Sequence, residues 1–248
     1  MASSVAPGSA TDRVAVGQIA LVGLFVAALV TAQLTAAKLL AFELPVALPV
    51  VGPEIVLPGA ALAYALTFFA SDCYAELYGR RPAQVLVNVA FGTNFVVLGL
   101  LYSTLAAPAV DPEFAATFAA ALAPAGNVVA GSLLAYVVSQ NWDVVVFYAI
   151  RDRTDGAALW LRNVASTATS QAVDTVIFVV VAFLVAPTVF GVGDPVPLGV
   201  IAALIVGQYL LKLLIALLDT PFVYLVVGAV RSETRSAERI SGNEPRKP

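Results

Sequence analysis

The feature that most limits what this chain can become is a series of long apolar segments. Six of them, at about 14–37, 58–79, 83–105, 127–150, 160–186 and 198–229, approach or exceed the ~20 residues needed to cross a hydrocarbon core. A segment of that kind satisfies its backbone amides in a bilayer only as helix. The charge content agrees: 12% of residues are charged, half of the roughly one quarter usual in soluble domains. The expected fold is therefore all-α, a polytopic protein of the cell membrane with six transmembrane helices over 14–230. Residues 1–13 and 231–248 are polar and read as disordered tails.

Orientation follows from the basic residues. Of 13 Lys and Arg, Lys38 and Lys212 lie at or within spans, and the other 11 cluster in the tails or around the loops after spans two and four. The loops after spans one, three and five carry Glu43, Glu54, Asp111, Glu113 and Asp194 instead. By the positive-inside rule both termini are expected on the cytoplasmic side. Two connections have their own character. Residues 40–57, LAFELPVALPVVGPEIVL, alternate apolar residues among prolines and suggest a hairpin or irregular loop. The apolar stretch 113–122 is too short to span and reads as an interfacial or re-entrant helix.

Several functions are disfavoured. There is no basic excess for nucleic acid, no histidine, and a single cysteine, Cys73, so no internal disulfide can form. No phosphate loop and no nucleophile–base motif is present, so neither nucleotide hydrolysis nor intramembrane enzymology is expected, and no cofactor or metal is implied.

The remaining chemistry is polarity placed where it is costly. The fifth segment reads LWLRNVASTATSQAVDTVIF. Asn163, Thr167, Ser170 and Asp174 follow a helical spacing, and Ser166 and Gln171 broaden the stripe. Asp174 lies 12 residues past Arg162, about 18 Å along a helix, which is near mid-membrane. A carboxylate there has a large desolvation cost and marks a functional site; the hydroxyls alone would serve as glue between helices. Span two carries Asp72 and Glu76 one turn apart, with Glu76 also within reach of Arg80. Span four carries Gln140 and Asp143 on a stripe with Ser132 and Tyr136. In span six, Lys212 is too deep to snorkel and needs a partner, either Asp174 or Asp219. Lys38, at the end of span one, is either a snorkelling residue or a member of the site. Four polar stripes turned inward predict a cavity between helices for a small, flat, hydrogen-bonding solute. The partners expected are that nucleobase-like solute and the bilayer, with homo-oligomerisation left open. A hard-cation channel is the less natural reading, because the hydroxyl string and Lys212 do not suit it.

The runs SDCYAELYGRRPA, SQNWDVVVFY and above all LWLRNVASTATSQAVDTVIF resemble the queuosine precursor transporter family, also described as vitamin-uptake-like. The resemblance covers about 14–229, and its motif positions here are Asp72, Glu76, Gly79, Gln140, Asp143, Asn163, Ser166, Thr167, Ser170, Gln171 and Asp174. Ala75 departs from the Asn of many members, and Asn127 stands where an Arg is expected. The resemblance implies import of a 7-deazaguanine base for tRNA modification by a secondary transporter. It also leaves an alternative, a substrate-binding membrane subunit that works with a separate ATPase. The scarcity of Lys against Arg suggests a high-GC source; an archaeal one would direct the base to archaeosine.

Overall fold

The computed structural model describes residues 10–48, 52–154 and 159–242. The chain runs α1 (Ala10–Thr35), a hairpin of β1 (Leu39–Leu48) and β2 (Gly52–Pro58), α2 (Ala61–Tyr78), α3 (Arg80–Ala106), α4 (Pro112–Leu122) and α5 (Ala125–Arg153). Then follow α6 (Leu159–Val180), a π-helical turn (Val181–Val185), α7 (Ala186–Phe190) and α8 (Leu198–Gly242). Among the described residues five helical stretches are long and apolar enough to cross a membrane: Val16–Thr35, Arg80–Ala106, Pro112–Arg153, Val164–Phe190 and Leu198–Ser232. The 18-residue α2 is not among them, since its second half carries Ser71, Asp72 and Glu76.

Local chemistry sets several boundaries. The 40–57 segment is an antiparallel hairpin whose register pairs Leu39 with Pro58 and Glu43 with Glu54. Pro58 thus ends a strand, and α2 starts three residues later than a proline-led first turn would place it. One residue separates α2 from α3: Gly79 has φ 93° and ψ 164°, a conformation essentially confined to glycine. Asp111 caps α4, its Oδ1 accepting from the amides of Glu113 (3.0 Å) and Phe114 (3.1 Å), with Pro112 in the first turn. No α4 residue is buried, and this short helix passes through Ala123 and Pro124 into α5. Pro221 leaves α8 unbroken, and that helix runs on to Gly242, into the stretch expected to be disordered.

The bundle is held by close backbone approach. Ala70, Ala83 and Ala90 let α2 and α3 pack around Phe25 and Leu29 of α1. A β-carbon added at Gly131 of α5 would lie 2.9 Å from that of Ala182 and 3.0 Å from the Phe178 carbonyl, so α5 and α6 need glycine at their crossing. The hairpin folds back onto the bundle, with Leu39 and Val56 packing on Val179, Phe183 and Leu204. Polar ties join the remaining contacts. Gln18 Nε2 donates to the Tyr74 hydroxyl (2.8 Å), and the buried Asn127 donates to the Val192 carbonyl (2.7 Å). Outward faces carry large apolar side chains such as Val85, Val89 and Leu100 on α3 and Leu213, Leu217 and Phe222 on α8, the surface a lipid environment requires.

Candidate functional site

A cavity of about 200 Å³, partly open to the surface, lies between α1, α2, α3, α5, α6 and α8. Its centre is an ion pair. Asp174 comes from the polar stripe of α6, and Lys212 reaches it from α8, with Nζ 2.6 Å from Oδ2. The two side chains are 17% and 9% exposed, so water screens the pair little. Ser139 of α5 donates to the other carboxylate oxygen at 3.2 Å. Lys212 Nζ also stands 6.0 Å from the Tyr64 ring centroid, within cation–π reach. Of the two partners expected for Lys212, the structure therefore selects Asp174.

Gln140 and Gln171 flank this centre on the cavity wall. Flat apolar surface comes from Tyr64, Phe68, Phe91 and Phe178. Tyr136 stacks on Phe91, with centroids 4.8 Å apart at 23°. Its hydroxyl accepts from Gln84 Nε2 (2.6 Å) and donates to Asn88 Oδ1 (3.1 Å), which fixes the ring against α3.

Thus Gln140, Gln171, Asp174 and Lys212 come together on one cavity. The other candidates lie off its wall, and most share one direction. The wall reaches Ser71 on α2, Gln140 on α5, Gln171 on α6 and Ile215 on α8. Asp72, Asp143, Ser170 and Asp219 each follow within about one helical turn, toward the helix ends that carry Arg80, Arg151, Arg162 and Arg231. In this second layer Ser170 is buried and donates to Asp143 Oδ1 (3.3 Å), joining α5 to α6. Ser166 is buried one turn further and Thr167 is exposed. The side chain of Asn163 lies outside the described residues. Glu76 pairs with Arg231 rather than Arg80: Nη2 is 2.9 Å from both its Oε1 and its backbone carbonyl, and both side chains are about half exposed. Lys38 is exposed in the turn after α1, at the opposite end of the bundle.

The structure adds residues that periodicity did not single out. Gln33, Tyr64, Thr67 and Gln208 line the cavity from α1, α2 and α8. A lone amide or aromatic in an apolar helix carries no pattern, so only packing reveals it. Gln84 and Asn88 are four apart on α3 and could have been read as one polar face.

The "Probable queuosine precursor transporter" of Bacillus subtilis (strain 168) is 35% identical over 183 residues, which is 70% of this chain and 73% of the relative. No solved structure gives a significant match. The profile of the family described as "Putative vitamin uptake transporter" matches residues 58–226. The chain belongs to that family of transporters, as a multi-pass membrane protein with an ion pair on the wall of a largely apolar cavity.

Proposed function

We propose that the protein imports a free base of the 7-deazaguanine class, used in tRNA modification, as a secondary transporter. In this reading α2 joins the five apolar stretches as a sixth crossing, and both termini face the cytoplasm. The observation that carries the proposal is the Asp174–Lys212 pair on the wall of a small aromatic cavity. Each carboxylate oxygen already receives one protein donor, from Ser139 or from Lys212, and retains a free lone pair. Two parallel acceptors match the adjacent N1–H and 2-amino donors of a guanine-like edge. Rings of Tyr64, Phe91 and Phe178 suit a planar solute. The cavity is below the ~300–1,000 Å³ typical of drug-sized ligands, which favours a bicyclic base over a larger conjugate. Asp174, Lys212, Gln140 and Gln171 would contact the base. Asp72, Asp143, Ser166, Thr167, Ser170, Asp219 and Glu76 would line its onward route to the arginine-bearing side.

The test is calorimetric titration of the detergent-purified protein with 7-cyano-7-deazaguanine, queuine, guanine and adenine, alongside Asp174→Asn. Saturable binding of a deazaguanine, lost in the variant, is the expected result. Absence of binding to all four bases would refute the proposal. Uptake by the chain alone in liposomes separates a self-sufficient transporter from a subunit that needs an ATPase.

A further inference from the structure

Gln33 is a polar group on the cavity wall whose bonding is left incomplete. It is 4% exposed, and its Oε1 is buried with no hydrogen-bond partner among the described residues. Ala32, Ala36, Ala60 and Val128 line the same cavity, and against such an apolar wall a bare buried amide is costly. Its polar neighbours on α1 are already satisfied: the Thr31 and Thr35 hydroxyls donate to the carbonyls of Ala27 (2.8 Å) and Thr31 (2.7 Å). Across the cavity, Thr67 donates to the Tyr64 carbonyl (2.7 Å), and Ser139, Asp174 and Lys212 bond one another. Asn94 of α3 is also buried without partners, but it lies off the cavity wall, so a solute in the cavity does not account for it.

We infer that Gln33 completes its hydrogen bonding with the solute and selects a free base over a nucleoside. This rests on the base-import reading above. A carboxamide offers a donor and an acceptor side by side, and rotation of its terminal torsion exchanges them. It therefore complements a base edge that has an acceptor beside a donor. Once Asp174 holds N1–H and one hydrogen of the 2-amino group, the N3 acceptor of a 7-deazaguanine still has a donor on each side, the second 2-amino hydrogen and N9–H. Only the N3/N9–H edge distinguishes a free base from a nucleoside, and it is the edge assigned to Gln33. The 7-position, being carbon, offers no ring-nitrogen acceptor there. In a nucleoside N9 carries the sugar and the donor is gone.

The experiment compares 7-cyano-7-deazaguanine with its 9-methyl derivative on the wild-type protein, Gln33→Met and Asp174→Asn, by calorimetry in detergent. Wild type should bind the parent base at least about tenfold more tightly than the 9-methyl compound, the scale of one good hydrogen bond. Gln33→Met should lose about tenfold for the parent base and bring the ratio of the two ligands close to one. Thermal unfolding of ligand-free Gln33→Met should occur at or above the wild-type temperature, because an unsatisfied amide has been removed. Equal wild-type affinity for the two ligands, or discrimination unchanged in Gln33→Met, would overturn the inference while leaving base import intact. A lower unfolding temperature with unchanged binding would make Gln33 a packing residue. No binding of the parent base by wild type would overturn base import, and the role of Gln33 with it.

Discussion

Replacement of Lys212 by Met should be among the most damaging single changes in the bundle. The Nζ–Oδ2 separation is 2.6 Å and neither side chain is more than 17% exposed. At an effective dielectric of about 20, two unit charges at that range attract by about 6 kcal/mol before desolvation is counted. Most of that gain is offset by the cost of taking both ions out of water. What remains large is the asymmetry: removing one partner leaves a buried, uncompensated charge, at about 3–5 kcal/mol. In Lys212→Met, Asp174 retains only the Ser139 hydroxyl. The double variant Asp174→Asn, Lys212→Met removes both charges and should recover most of that loss. Reversible denaturant unfolding in mixed micelles, followed by tryptophan fluorescence, measures all of these variants. Lys212→Met alone should lose several kcal/mol, with the double variant close to wild type. A single-variant loss below about 1 kcal/mol, the scale of an exposed pair, would refute the buried pair. Strict additivity of the two single changes would refute it as well.

Three further outcomes follow from the packing. Gly131→Val should destabilise the protein by at least about 1–3 kcal/mol, since its β-carbon would meet Ala182 and the Phe178 carbonyl; unfolding of the variant in the same micelles checks this. Gly79→Ala meets no atom within 4 Å, so its cost is conformational, about 1–3 kcal/mol; a variant as stable as wild type would contradict the positive φ. The Glu76–Arg231 pair is half exposed, so Glu76→Gln should change stability by no more than about 1 kcal/mol, and that small effect should shrink further at high salt.

The legible part of this protein was what membrane insertion constrains. Apolar length is readable because each segment meets the bilayer by itself. The same holds for Asp174 and Lys212: a charge inside an apolar run stands out before its partner is known. The hairpin was legible too, since prolines and alternating side chains are incompatible with helix. What escaped depends on pairs of helices. Gln33 and Tyr64 look like ordinary interior residues until α1 and α2 are placed around α6. The partner of Glu76 was hidden because Arg231 lies 155 residues away, while Arg80, four residues on in sequence, is carried off by the turn at Gly79. Pro221 stands inside α8 without ending it. It removes a single amide from a helix already nucleated on both sides, and membrane helices tolerate that loss.

The single glycine between α2 and α3 has a mechanical meaning for the cavity. Two helices joined by a long loop can tilt independently at both ends. Joined through Gly79, they behave as the legs of a pair of dividers, pivoted at the end where the arginines lie. Tyr64, Thr67 and Phe68 ride on one leg, and Val87 and Phe91 on the other. The angle between the legs is therefore tied to two backbone dihedrals of one residue.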